Sequence, residues 1–216
     1  MINISKLYCG QAGQSDSLRY PAQRDIKPIL VFNCTARCNL KCLHCYSNAD
    51  SGRKEPELTT QQAKTLIDQA ADFGCPVLLF SGGEPLMRKD LFDLIAYADQ
   101  KGLRTVLSTN GTLINEQVAE KLASLKVSYV GISLDGPQNL HDSFRGVKGS
   151  FADTMKGIEN CRRAQIRTGL RFTMIGGNVD QISEVFQIAA DAGIGRICFY
   201  HLIRTGRAEI LSNQMP

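Results

Sequence analysis

Six short apolar runs, each followed by a segment of helical spacing, limit the folds open to this chain more than any other feature. The runs lie near Ile29–Cys34, Val77–Ser81, Thr105–Thr109, Tyr129–Leu134, Leu170–Ile175 and Ile197–Leu202, and each reads as a strand. Helices fall between them. Thr59 and Gln62 have capping-box spacing, Ala63, Leu66, Ile67 and Ala70 recur on one face, and Gly74 follows as a stop. Leu91, Leu94, Ile95 and Ala98 mark a second helix before Gly102, and Val118, Leu122 and Leu125 a third. A less regular fourth runs from about Phe151 to Ala164, and Val179, Ile182, Val185, Phe186 and Ala189 mark a fifth before Gly193. Between Pro28 and Ile203 the six repeats average roughly 29 residues, close to the length of a strand–helix–strand crossover. The expected fold is therefore α/β, a partial (βα)6 TIM-like barrel, with its chemistry at the C-terminal ends of the strands. A doubly wound open sheet is the competing architecture.

At 216 residues, 43% hydrophobic and 21% charged, the chain has enough apolar material for one sizeable core. The expected organisation is one core domain over residues 28–216, preceded by a leader over residues 1–27 that has no clear period. No basic segment followed by an apolar stretch opens the sequence, and no run approaches the ~20 apolar residues that span a bilayer. A cytoplasmic location without membrane contact is expected. In a reducing compartment, eight cysteines are ligands or core residues rather than disulfides, and Cys9, Cys161 and Cys198 read as packing residues. A net charge of +4 with both signs interspersed offers little to nucleic acid.

The strand ends carry the polar residues. After the first strand comes Cys38-Asn39-Leu40-Lys41-Cys42-Leu43-His44-Cys45, spaced CxxxCxxC. A cubane of four irons held by three thiolates keeps one iron free of protein ligands from this motif, open to a substrate or cofactor. Structural zinc takes four ligands, and Cys34, His44 or Cys75 are the available fourth. A closed electron carrier would need a fourth cysteine, for which only Cys34 is near. Ser81-Gly82-Gly83-Glu84-Pro85 follows the second strand, Ser108-Thr109-Asn110-Gly111 ends the third and Ser133-Leu134-Asp135-Gly136 ends the fourth.

This set, with the cysteine loop one βα unit ahead of Gly82-Gly83-Glu84, resembles the radical S-adenosylmethionine superfamily. The resemblance implies a 4Fe-4S cluster on Cys38, Cys42 and Cys45, and S-adenosylmethionine chelating the open iron. Gly82 and Gly83 would let backbone approach the methionine portion. Glu84 would hold that turn or accept from the ammonium, its plainer alternative being a surface carboxylate near Arg88. Thr109 and Asn110 would reach the ribose, and Ser133 and Asp135 the carboxylate or ribose, although Asn110-Gly111 and Asp135-Gly136-Pro137 also read as turns. His44 would pack against the adenine. Arg145 would fork onto the cofactor carboxylate or be a solvated loop arginine. Contacts of Ile175 to Val179 stay unassigned, and Tyr200 and His201 face the lumen or simply pack.

Three longer stretches, Ile4 to Gly10, Val77 to Leu86 and Cys198 to Leu202, are similar to the branch of the superfamily that modifies iron tetrapyrroles, the sirohaem-derivative deacetylases and haem d1 synthesis enzymes. That likeness implies an iron tetrapyrrole substrate, 12,18-didecarboxysirohaem losing acetates to give iron-coproporphyrin III. It also implies a reductant such as flavodoxin or ferredoxin, and substrate carboxylates meeting Arg171, Arg204 or Arg207. Members of the branch continue into a C-terminal region with auxiliary-cluster cysteines, so a chain with its last cysteine at Cys198 is expected to be truncated after strand six. A peptide-modifying enzyme and a non-catalytic zinc or iron-sulfur module remain as alternatives.

Overall fold

The computed structural model describes residues 27–53 and 56–214. The leader, apart from Lys27, and the Ile4 to Gly10 stretch lie outside the described residues. Six strands, β1 (Leu30–Asn33), β2 (Val77–Ser81), β3 (Arg104–Thr109), β4 (Tyr129–Ser133), β5 (Thr168–Met174) and β6 (Ile197–His201), form one sheet. Every neighbouring pair is parallel and the spatial order is β1-β2-β3-β4-β5-β6. A doubly wound sheet reverses its strand order at a switch point. No reversal occurs here, so the sheet curls one way into an incomplete barrel.

The helices are α1 (Thr60–Asp72), α2 (Leu91–Gln100), α3 (Glu116–Ser124), α4 (Gln138–Arg145), α5 (Ser150–Arg163) and α6 (Ile182–Asp191). The capping box of α1 forms as its spacing predicts, with the Gln62 amide donating to Thr59 Oγ1 and the Thr59 amide to Gln62 Oε1. Alternate strand residues face the helices, among them Leu78, Phe80, Leu107, Val130, Ile132, Leu170 and Phe172, all 0% exposed. Burying each such side chain contributes about 1.5–3 kcal/mol. They form the main core with Ala63, Ile67, Leu94, Ile95, Leu122 and Val185. The other strand face lines the lumen, which leaves its residues free for a site.

Two elements differ from expectation. β1 ends at Asn33, and the Cys34 side chain turns into the core at 2% exposure. Helix α4 lies where the sequence reads as turn and loop. The face it buries consists of His141, Phe144 and Arg145, so it carries no apolar period. Pro137 before it and left-handed Gly146 after it were the only signals. Among the described residues no helix is long and apolar enough to cross a membrane.

Candidate active site

A cavity of about 340 Å³ opens at the C-terminal strand ends, lined by residues from every strand end or the loop after it. Cys38, Cys42 and Cys45 all face it, with His44, Gly82, Gly83, Thr109, Asn110, Ser133 and Arg145. Glu84 and Asp135 stand behind that lining, both 0% exposed.

The cysteine loop is held from three directions. Arg37 bridges Asp50, whose carbonyl accepts from the Cys38 amide at 3.1 Å. The amides of Lys41 and Leu43 donate to the carbonyls of Arg145 and Phe144 at the end of α4. From the far end of the chain, Arg207 donates through Nε to the Cys42 carbonyl (2.8 Å) and through Nη2 to the Ala49 carbonyl (3.0 Å), while its amide bonds the Cys45 carbonyl. Arg207 thus ties the cysteine loop down while also lining the cavity.

Each thiol sulfur meets a polar partner. Leu40 amide lies 3.4 Å from Cys38 Sγ, Arg145 Nη1 3.6 Å from Cys42 Sγ, and the Ala49 amide and Ser47 hydroxyl each 3.4 Å from Cys45 Sγ. Burial pushes Cys38 up to about 11 and raises Cys42 against the Arg145 charge. Burial also acts on Cys45, but the Ser47 hydroxyl, the Ala49 and Ser47 amides and the Arg207 charge outweigh it and hold that thiol below its ordinary value. Among the described residues no three His, Cys, Asp or Glu side chains converge as ligands of one ion would. A cubane asks for something else, one thiolate on each of several irons. Cys34, pushed up to about 12 by burial in the core, does not reach this cavity.

Gly82 and Gly83 are required by the packing of two loops. Gly82 has φ +139°, and a Cβ there would strike the Thr35 carbonyl oxygen; a Cβ at Gly83 would strike that of Arg37. In the space so cleared, the Gly83 amide donates to Thr35 and the Glu84 amide to Arg37, both at 2.8 Å. The turn after β2 thus positions the segment that leads into Cys38. Glu84 is no surface carboxylate, since its oxygens accept from the Leu86 amide, the Thr109 hydroxyl and the Asn110 amide at 3.1, 2.8 and 2.8 Å. Arg88 pairs instead with Asp90 at 2.7 Å. Burial raises the Glu84 pKa against those donors. Asn110 reaches the cysteine loop, donating to Asn39 Oδ1 at 2.9 Å with Cys38 Sγ 3.9 Å away.

Asp135 gathers a second network. Its Oδ2 lies 2.5 Å from Arg145 Nη2 and 3.7 Å from His44 Nε2, and its Oδ1 accepts from the Thr173 amide at 3.1 Å. Burial alone would raise its pKa, yet Arg145, His44 and His141 together hold it below the carboxylate range. Arg145 is 6% exposed, so the solvated-loop alternative is corrected: α4 carries it inward. His44 stacks on Phe144, with ring centroids 4.4 Å apart, and burial lowers it to about 4. Asn178, which sequence reading passed over, accepts from the Ile175 amide and donates to the carbonyls of Thr173 and Asp135. Its Gly176-Gly177-Asn178 context reads only as a turn.

Across the lumen, Arg171, Thr173, Tyr200 and His201 line the same cavity, whereas Arg204 is exposed and lies outside it. His44 Nδ1 and Arg145 Nε are buried beside the cysteine loop without a protein partner. Three free thiols on one loop, unpartnered polar atoms next to them and a cavity of ligand size fit a sulfur-ligated cluster with a polar ligand beside it.

The chain matches the radical SAM superfamily over residues 32–201. It is 50% identical to the Fe-coproporphyrin III synthase of Methanosarcina barkeri (strain Fusaro / DSM 804), across 99% of this chain and 57% of that protein. It is 40% identical to the pre-heme d1 synthase of Dinoroseobacter shibae (strain DSM 16493 / NCIMB 14021 / DFL 12), across 85% of this chain and 45% of that one. In fold it is similar to Streptococcus suis SuiB bound to S-adenosylmethionine, with a TM-score of 0.71 and 21% identity over 81% of this chain and 40% of that chain. The chain spans about half the length of the curated relatives it matches. With the six-stranded half-barrel and the match over residues 32–201, these likenesses show that the chain belongs to the radical S-adenosylmethionine superfamily.

Proposed function

We propose that residues 28–216 act as the core of a radical S-adenosylmethionine enzyme whose substrate is an iron tetrapyrrole. The observation that carries this reading is one loop presenting Cys38, Cys42 and Cys45 to a cavity shared with the Gly82–Gly83 turn, each sulfur within reach of a donor. On this reading those thiolates hold a 4Fe-4S cluster. Held by these residues and reduced, such a cluster with S-adenosylmethionine would supply the radical chemistry that removes hydrogen from a substrate.

The protein's own residues position and exclude. Leu40, Ala49, Ser47 and Arg145 place donors on the sulfurs, which stabilises thiolate character and makes the site easier to reduce. Gly82 and Gly83 leave backbone open for the cofactor's methionine end, and Glu84 acts by holding that turn and the end of β3 together. Thr109 and Asn110 wall the cavity where the ribose would lie, held there as Thr109 donates to Glu84 and accepts from the Gly111 amide and Asn110 Oδ1 accepts from the Thr112 amide and hydroxyl. Neutral His44 offers a flat face for the adenine, while Ser133 and the Arg145 fork, fixed by Asp135, offer donors for the carboxylate.

The substrate in this reading is 12,18-didecarboxysirohaem, whose loss of two acetate arms yields iron-coproporphyrin III, the product named in the relative at 50% identity. The electron comes from a low-potential donor of the flavodoxin or ferredoxin kind. Anaerobic reconstitution followed by chromatography tests it. Formation of 5′-deoxyadenosine should rise well above its substrate-free rate on addition of didecarboxysirohaem. A rise with a peptide and none with the tetrapyrrole would replace this reading with the peptide-modifying one. At saturating S-adenosylmethionine the electron paramagnetic resonance of the reduced cluster should change, and an unchanged spectrum would remove the cofactor assignment.

A further inference from the structure

Among the described residues, one arginine of the cavity wall, Arg171, has no ion-pair partner. Arg171 rises from β5 into the lumen, half-buried, level with Ser133 on β4 and Cys198 on β6. The sequence accommodates its stem deliberately. A Cβ at Gly131 would lie 2.9 Å from Arg171 Cδ and 3.4 Å from its Cγ, so any larger residue on β4 would displace the arginine. Its guanidinium carbon sits 4.6 Å from the centroid of the Tyr200 ring, a cation–π contact that braces the group. Of the other arginines of the cavity wall, Arg145 is fixed by Asp135 beside Cys42, where the reading above gives it to the cofactor, and Arg207 donates to two carbonyls of the cysteine loop. Among the described residues the Arg171 side chain makes no ion pair and no hydrogen bond, only its contact with the Tyr200 ring.

A half-buried guanidinium at a cavity wall presents its donors to whatever ligand enters. Its paired donors match a carboxylate in two-point geometry. The cofactor has a guanidinium nearer to hand, because Arg145 adjoins Cys42 whereas Arg171 stands on β5, four strands from the strand that leads into the cysteine loop. We propose that Arg171, seated over Gly131 and braced by Tyr200, anchors a carboxylate arm of the substrate in the lumen. For the molecule that bears the carboxylate, an acetate- or propionate-substituted tetrapyrrole, the inference rests on the reading above. The receptor itself rests on the arginine's surroundings alone.

The test compares binding of iron-coproporphyrin III and its tetramethyl ester to the reconstituted full chain, followed by Soret absorbance. Wild type should prefer the acid. R171Q should lose that preference by roughly tenfold, the usual scale of one charge-assisted contact, with ester binding unchanged, and R171K should retain part of it. Equal iron content in the variants shows that they fold. If wild type binds acid and ester alike, or if R171Q matches wild type, the anchor is overturned while the tetrapyrrole reading stands. If neither porphyrin binds, the tetrapyrrole reading falls. The anchor is then judged by the Nε–H resonance of 15N-arginine-labelled protein that disappears in R171K: a shift on adding glutarate upholds it and no shift overturns it. Loss in R171Q of the spectral change caused by S-adenosylmethionine would assign Arg171 to the cofactor and likewise overturn the proposal.

Discussion

Asp135 shows how much of this site is decided one residue at a time. It is buried with Arg145 at 2.5 Å and His44 at 3.7 Å, and a charge so placed is tolerable only while its partner remains. Arg145→Met should therefore destabilise the fold by about 3–5 kcal/mol in urea unfolding, and adding Asp135→Leu should recover part of that loss. His141 gives a pH signature. Burial, then the Arg145 charge, lowers it from 6.5 to about 4, so the unfolded chain binds a proton that the folded one refuses. Its contribution to stability is complete above about pH 6.5 and is lost as pH falls towards 4. His141→Asn should reduce the fall in stability over that window by on the order of 3 kcal/mol relative to wild type. An unchanged pH profile would show that the imidazole titrates normally. The cysteines divide just as sharply. Cys34→Ala should keep about four irons per chain and Cys38→Ala should lose them, with the reverse result refuting the ligand set.

At the scale of elements, the cysteine loop has little structure of its own and borrows it from three neighbours. Its amides lean on the end of α4, its approach is paired with the Gly82–Glu84 turn, and Arg207 ties both of its flanks to the segment after β6. Gly83→Val should therefore lower iron loading itself, beyond any effect on S-adenosylmethionine, because the new side chain would push against the Arg37 carbonyl. Normal iron content in that variant would refute the loop-packing role. Arg207→Met should leave the sheet intact but let the loop open, seen as faster bleaching of the cluster absorbance in air. Sequence spacing showed the cysteine loop and the Gly-Gly turn as separate motifs. That one is the scaffold of the other depended on a contact between residues 35–37 and 82–84, which no local pattern encodes.

Across the whole molecule, stability should fall from the middle of the sheet to its far edge. Leu107 on β3 and Val130 and Ile132 on β4 are 0% exposed, whereas Phe199, Tyr200 and His201 on β6 are exposed. Amide hydrogen exchange should be slowest at the first three and fastest at the last three, following local burial; uniform rates along the sheet would contradict this. The same gradient serves the chemistry proposed. The buried β2-to-β5 body of the sheet holds the Gly-Gly turn and the ends of β3 and β4. The exposed β6 edge, where Tyr200 projects beside Arg171, is left to accommodate a large substrate.

The sequence by itself determined the βα repeat and the three thiols on one loop and pointed to the strand ends as the site, whereas the strand order that excludes a doubly wound sheet was decided by the tertiary structure. Periodicity and fixed spacing are local properties, and each βα unit writes its own. The partners across the lumen were left to tertiary structure. Arg171, Arg204 and Arg207 read alike as arginines near the last strands, and Arg145 as a cofactor fork or a solvated loop residue, yet Arg145 is locked to Asp135, Arg207 straps a loop, Arg204 faces solvent and Arg171, among the described residues, has no ion pair. Helix α4 and Asn178 were hidden for a related reason. Their inward faces are polar, so the hydrophobic pattern that reveals a helix or a core residue is absent. Their roles arise only where strands distant in sequence curl to face one another.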